Sequence, residues 1–149
     1  MSKNNTWKIV GVSLGTLALG AWAWSNRRLF TVSDITTGES AAYPALRSRV
    51  YYAEIPKTLN AAAACLSNLP GFALTQRDTA NDAVEGAAAG PFGLSDDITV
   101  YCFDTGRGQT RVTIRARART GFGDFGRNAK VIRTLQTAMD ARLNTNAAF

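Results

Sequence analysis

The clearest pattern in the chain is a strict alternation of apolar and polar residues over positions 110–120. One side of this segment carries Val112, Ile114, Ala116 and Ala118, and the other carries Arg111, Thr113, Arg115, Arg117 and Arg119. A period of two residues predicts a half-buried β-strand. Neighbouring arginines on one side of a strand stand ~6.6–6.8 Å apart. We therefore expect them to have counter-ions or a binding partner.

A glycine-rich turn over residues 121–126 follows this strand and leads into a predicted helix. Glycines permit the turn, and Asp124 can cap a helix that begins near Phe125 and runs to about Leu143. Its apolar positions recur every three or four residues, at Ala129, Ile132, Leu135, Ala138, Met139 and Leu143. The three glycines match the G-x-G-x-x-G spacing of dinucleotide sites. No second strand follows the helix, however, so we interpret the match as turn chemistry.

The remaining patterns predict four more strands and one more helix. Strands are expected at residues 50–55, 72–77, 83–89 and 98–103, and a helix at 57–68 after Pro56. The order β-α-β-β-β-β-α with short connections predicts an α+β domain, in which both helices pack on the apolar face of one antiparallel sheet. A helix-grip arrangement, with the last helix across a curved sheet, is one form this could take. The small apolar residues facing the helices favour a filled core over a ligand cavity.

The N-terminal region contains an uncharged segment of 18 residues, 9–26. As a helix it would be ~27 Å long, close to the ~30 Å of a hydrocarbon core. Residues suited to the membrane interface flank it, namely Trp7, Trp22, Trp24, Arg27 and Arg28, and small residues suited to helix packing lie within it, namely Gly11, Gly15 and Gly20. We favour a retained single-pass anchor. The alternative is a cleaved signal peptide, since Ala21-Trp22-Ala23 has the A-x-A form.

These patterns divide the chain into four parts. Residues 1–28 are predicted as an N-terminal tail and transmembrane helix, 29–49 as an extended linker, 50–143 as the extramembrane domain and 144–149 as a C-terminal tail. Two lysines before the span and two arginines after it leave the orientation undecided by charge.

Composition removes several classes of chemistry. The chain has no histidine, the commonest general base and a frequent zinc ligand. Cys65 and Cys102 lie far apart in apolar patterns, so we predict buried free thiols, with a disulfide as the alternative. Asp96 and Asp97 are adjacent and should point to opposite faces of a strand, so they cannot act as an acid and base pair. We predict no catalytic residue, no metal site and no cofactor.

The C-terminal half also carries a family resemblance. The arginine strand, the Gly-Asp-Phe-Gly-Arg-Asn-Ala turn at residues 123–129 and the Ile-Arg pair of the helix resemble the bacterial family known as domain of unknown function 1499. The likeness extends to residues 34–37 and 43–46 and covers most of residues 33–143. Many members carry a Cys-Pro and Asn-Cys element that this chain lacks, so no metal or redox role is implied. The resemblance supplies no activity, but it suggests an exported domain on the periplasmic side of the bacterial inner membrane.

These observations predict a function in binding and no enzymatic activity. Residues 110–133 hold seven basic side chains against one acidic, which equals the whole chain's net charge of +6. No nucleic-acid reader motif is present, so we predict no nucleic-acid partner. We expect an accessory or assembly subunit of a membrane complex, photosynthetic or respiratory, that docks through Arg115, Arg117, Arg119, Arg127 and Arg133. The alternative is a tethered binder of a small anionic or lipidic ligand, in a pocket flanked by Arg115, Arg117, Asn128 and Arg133.

Overall fold

The computed structural model describes residues 21–22, 24–25, 27, 32–120 and 123–143. From residue 32 onwards they form an α+β domain, with six strands and two long helices. The elements are β1 Asp34–Thr36, β2 Arg49–Tyr51, α1 Ile55–Asn68, β3 Phe72–Asp78, β4 Ala83–Ala89, β5 Ser95–Gly106, β6 Gln109–Ala118 and α2 Arg127–Leu143. The predicted mixed fold with an antiparallel sheet and two helices is confirmed.

The sheet runs in the order β3, β4, β5, β6, with β1 and β2 sharing the outer edge of β6. All pairings are antiparallel, and consecutive strands from β3 to β6 are neighbours because short turns join them. β1 pairs with residues 115–117 of β6, and β2 with residues 110–112. Between them Thr37 bridges the gap, since its hydroxyl accepts a hydrogen bond from the Ile114 amide at 3.0 Å.

Residues 29–49 were predicted as a linker, and this prediction is wrong for the described part of that range. Ile35 and Leu46 are buried in the core, and β1 adds a strand that the predicted order lacked. The segment is also tied to α2, where Gln136 donates to the Arg47 carbonyl and Asn128 to the Ser33 carbonyl. The domain therefore includes the described residues from Val32 onwards, which lie much closer to the predicted anchor in sequence than the expected start at residue 50.

Both helices pack on one face of the sheet and enclose the core. α1 presents Ala62, Ala63, Cys65 and Leu66 to it. α2 buries the predicted apolar positions, with Ala138 only half-buried. The sheet contributes alternate residues, such as Val84, Ile98, Val100, Val112 and Ile114. Asp124 caps α2 as predicted, because its carboxylate accepts hydrogen bonds from the amides of Gly126 and Asn128 at 2.8 Å each. The opposite face of the sheet carries neither helix, and we call it the open face.

Candidate docking face

The open face is built by the residues that alternate with the core positions of β4, β5 and β6. Residues directly opposite in an antiparallel ladder point to the same side. Two rows run across the strands, one of Ala87, Asp97, Arg117 and Asp34, and one of Glu85, Thr99, Arg115 and Thr36. Acidic and basic side chains thus alternate in the first row, and the second row holds one of each.

Arg115 is held by a carboxylate from the neighbouring strand. Its guanidinium donates through Nε and Nη2 to the two oxygens of Asp34, at 3.0 and 2.5 Å. This fork geometry fixes the orientation of the arginine plane. The hydrogen bond from Arg115 holds the pKa of Asp34 below its usual value, although partial burial opposes the shift. β1, absent from the predicted strands, is the element that delivers this partner.

Arg119 and Arg117 lie beside this pair in different environments. Arg119 donates through Nε to Asp97 at 2.7 Å, with both side chains about half exposed. Arg117 is exposed, and its charge also lowers the pKa of Asp34. Among the described residues, no carboxylate forms a salt bridge with Arg117. Of Arg115, Arg117 and Arg119, it is therefore Arg117 that has the most hydrogen-bonding capacity left for a partner.

Aromatic side chains complete the face towards the β5–β6 turn. Arg111 lies over the Phe103 ring at 5.2 Å, and the rings of Tyr101 and Phe103 stack with centroids 6.4 Å apart. These groups border a shallow groove of about 530 Å³. Its lining comprises Asp34, Thr36, Glu39, Ser40, Tyr101, Phe103, Arg111, Thr113 and Arg115.

The predicted docking arginines do not form one surface. Arg115, Arg117 and Arg119 share the open face, whereas Arg127 and Arg133 belong to α2 on the other side of the sheet. Arg127 is engaged with Asp96 through two hydrogen bonds of 2.6 and 2.5 Å. Asp96 is fully buried and Asp97 is exposed, so the two acids point to opposite faces as predicted.

The predicted ligand pocket is not assembled. It required Arg115, Arg117, Asn128 and Arg133 to border one cavity, but the first two lie on the open face and the last two on α2. Asn128 is buried and donates to the Ser33 carbonyl. This hydrogen bond joins the start of α2 to the segment that leads into β1.

The predicted membrane-helix residues lie largely outside the described part of the chain. This applies to Trp7, Gly11, Gly15, Gly20 and Arg28. Trp22 and Trp24 are exposed, and the Arg27 guanidinium stacks 5.0 Å from the centre of the Trp24 ring. No helix within the described residues has the length and apolar character to cross a membrane.

Metal-ligating clusters and thiols are the two kinds of reactive site to look for among the described residues. These residues hold no cluster of three Cys, Asp or Glu side chains that could bind a metal ion. Cys65 and Cys102 are both buried and free, as predicted. Burial raises the pKa of the Cys102 thiol to about 12 and also raises that of Cys65, which disfavours the reactive thiolate in both.

Comparison with known proteins identifies a family. The model of a family described as protein of unknown function (DUF1499) matches residues 27–139. The chain belongs to this family. The resemblance seen in the sequence is thereby confirmed, and the DUF1499 match includes the segment with β1 and Leu46. No curated protein matches the sequence.

Two features of the surface were missed by sequence reasoning. Asp34 was recognised only as part of a family motif, because a strand of three residues gives no periodic signal. Phe92 was placed in the loop between two predicted strands and Phe125 near the start of the last helix, without further comment, yet both are exposed. A phenylalanine set among glycine and proline residues, where no apolar pattern accounts for it, is the signal that could have marked them.

Proposed function

We propose that the protein is a membrane-anchored, non-enzymatic accessory subunit that docks on a larger membrane protein complex through its open face. The observation that carries this proposal is that both helices cover one side of the sheet and leave the arginine and aromatic side uncovered. Arginine and aromatic residues are enriched in protein interfaces. Arg117, Tyr101 and Phe103 would be the central contacts.

The size of the open face suits one protein partner. Strands stand ~4.8 Å apart and rise ~3.4 Å per residue, so five neighbouring strands of about seven residues present roughly 500–600 Å² in projection. The corrugated side chains increase the area available for contact. Specific interfaces bury about 800 Å² on each partner. The face is therefore sufficient for a modest interface, and anchoring in the same membrane would strengthen it by keeping both partners close.

The charges of the face favour a protein over a small anion. The open face carries three acidic residues, Asp34, Glu85 and Asp97, among its four arginines, Arg111, Arg115, Arg117 and Arg119. Glu39 lines the groove together with Asp34. The Arg115 fork is already occupied by Asp34. An anion entering the groove would meet these carboxylates. A protein surface with charges of both signs could instead complement them and fix its register.

The proposal is tested by association in native membranes. Arg117→Ser should weaken retention of the subunit on its host during purification in mild detergent, by several-fold or more, because a central interfacial arginine is lost. Arg133→Ser is the matched control, since this arginine lies on α2 and should leave retention unchanged. A wild-type chain that migrates as a lone monomer, or equal effects of the two substitutions, would contradict the proposal.

A further inference from the structure

One end of the domain carries two phenylalanines that the fold does not bury. Phe92 is 99 % exposed and Phe125 is 62 % exposed. With Pro91 and Leu94 they line a single depression of about 460 Å³, which also contains Lys130. We call these five residues the aromatic tip.

Both phenylalanines have a backbone conformation that bulky side chains rarely adopt. Their φ angles are +56° for Phe92 and +55° for Phe125. Such conformations persist only where surrounding structure holds them, and they cluster at sites of function. Neither ring gains the hydrophobic stabilisation of full burial in the core that would offset this backbone strain.

Hydrogen bonds within each loop hold the two phenylalanines in place. Asp124 precedes Phe125, and its carboxylate accepts hydrogen bonds from the Gly126 and Asn128 amides that follow it. Around Phe92, the Gly90 amide donates to the Leu94 carbonyl at 2.8 Å, and the Leu94 amide donates to the Pro91 carbonyl at 3.1 Å.

An ion pair beneath the aromatic tip joins the loops. Arg127 at the start of α2 binds Asp96 at the start of β5. Gly90 leaves the space that Arg127 occupies, since a Cβ on Gly90 would lie 3.0 Å from the Arg127 Cδ and Nε. The tip is thus a rigid projection, which lowers the entropic cost of binding.

The aromatic tip lies at the end where the chain enters the domain. The Asp124 amide, next to Phe125, donates to the Val32 carbonyl at 3.1 Å. Only five residues, 27–31, separate Val32 from the uncharged segment 9–26, so six residue steps join the two. At ~3.3–3.6 Å per residue they span at most about 20 Å. If residues 9–26 are anchored in a bilayer, this end of the domain is therefore held at its surface.

The charge around the tip also suits a bilayer surface. Lys130 is exposed beside the rings. In the sequence, Arg27 and Arg28 belong to the short segment between residues 9–26 and the domain. Of the carboxylates at this end of the domain, Asp124 is buried while it caps α2, Asp96 is buried against Arg127, and the exposed Asp97 is paired with Arg119. Basic residues next to exposed aromatic rings are typical of protein segments that lie in the membrane interface.

We propose that the aromatic tip inserts Phe92 and Phe125 into the interfacial layer of the bilayer that anchors the chain. This inference rests on the membrane anchor of the proposed function. It adds a second membrane contact, which would fix the orientation of the domain. β5 begins and β6 ends at the tip, so both strands have one end at the membrane and the other end away from it. The open face then stands sideways, towards a neighbouring membrane protein.

The test measures the depth of spin labels in the full chain, reconstituted in vesicles of phosphatidylcholine and phosphatidylglycerol in equal parts. Phe92→Cys and Phe125→Cys each receive a nitroxide, while the native Cys65 and Cys102 are buried. Phe103→Cys, on the open face at the other end of β5, is the matched control. We expect the ratio of oxygen to water-soluble nickel accessibility to be several-fold higher at positions 92 and 125 than at 103.

Flotation of the vesicles separates this proposal from the proposed function. A chain that does not float with the vesicles lacks its anchor, and both proposals fail. A chain that floats while the label at 92 is as accessible to nickel as the label at 103 overturns the tip insertion alone. If the label at 92 is protected from nickel only at high protein density in the vesicles, contact between proteins causes the protection. That result also overturns the tip insertion. Circular dichroism verifies that each labelled variant is folded. If Phe92→Cys is not folded, the label at 125 is compared with the label at 103 in its place.

Discussion

At the scale of single residues, burial decides which of the ion pairs matter for stability. Asp96 is completely buried and its partner Arg127 has a side chain only 15 % exposed, whereas Arg119 and Asp97 are both about half exposed. The hydrogen bond to Asp96 raises the pKa of Arg127, so this arginine remains charged at any ordinary pH. Removing one member of a buried pair leaves the other charge without compensation.

We therefore expect Arg127→Ala to lower the free energy of unfolding by about 3–5 kcal/mol. Arg119→Ala, which removes an exposed pair, should cost only about 0–1 kcal/mol. Urea unfolding followed by circular dichroism measures both values. Similar costs for the two variants would show that the Asp96 carboxylate is reached by water, contrary to the structure.

Asp34 gives the stability of the domain a dependence on acid pH. Its pKa in the folded state is lowered by Arg115, so folding is favoured when Asp34 is ionised. This contribution is fully present above the unfolded pKa of about 3.9. It is lost as the pH falls through the lower folded value. The pair is substantially exposed, so the contribution is modest.

Asp34→Asn should consequently flatten the decline in stability below about pH 4, where an unperturbed Asp titrates. The measurement is the unfolding free energy of both proteins across the acid range. Asp104→Asn serves as a comparison at an exposed position next to the β5–β6 turn, where no arginine fork is broken. Identical acid profiles for wild type and Asp34→Asn would mean that the fork with Arg115 does not form in solution.

At the scale of elements, the sequence predicted those with long periodic patterns and missed β1. The positions of β6 and α2 follow from alternation or from three-to-four spacing that extends over seven or more residues. β1 has three residues, and its partner in β6 lies about 80 positions away in sequence. Its pairing is set by the tertiary structure, through Ile35 in the core and Thr37 on Ile114.

The candidate site was predictable to the same extent. Alternation placed Arg115, Arg117 and Arg119 on one face, because residues on a strand change sides with a fixed period. The partners of the arginines depend on register between distant segments. Asp34 could not be assigned to Arg115 without β1, and Arg127 could not be separated from the docking set without knowing that Asp96 faces the helices.

The packing of α1 on the sheet depends on one glycine of β4. A Cβ on Gly86 would lie 2.7 Å from the Ala73 carbonyl oxygen and 2.9 Å from a methyl group of Leu66. The backbone oxygen cannot move without disturbing the pairing of β3 with β4. Gly86 thus allows α1 to approach the strand closely.

Gly86→Ala should therefore destabilise the domain by about 1–3 kcal/mol, the usual cost of overpacking. Ala87→Ser, the next residue of β4 on the open face, is the control and should change stability by no more than about 0.5 kcal/mol. Thermal or urea unfolding distinguishes them. A neutral Gly86→Ala would imply that α1 sits farther from β4 than the structure shows.

At the scale of the whole molecule, three surfaces have different chemical character. The helical side carries exposed polar residues of α2, the open face carries charges of both signs with aromatic rings, and the aromatic tip carries two exposed phenyl rings. A bilayer at the tip would orient the strands away from the membrane. The open face would then look along the membrane plane, where another membrane protein can reach it.

This arrangement predicts a specific pattern of cross-links in native membranes. A photoreactive phenylalanine analogue at Thr99, in the middle of the open face, should give a discrete protein adduct, because a docked partner would cover this position. The same analogue at Thr137, exposed on α2, should give none. At Phe92 it should react with lipid and produce no protein band. Gel electrophoresis with mass spectrometry identifies each product. An adduct from Thr137 without one from Thr99 would place the partner on the helices and contradict docking through the open face.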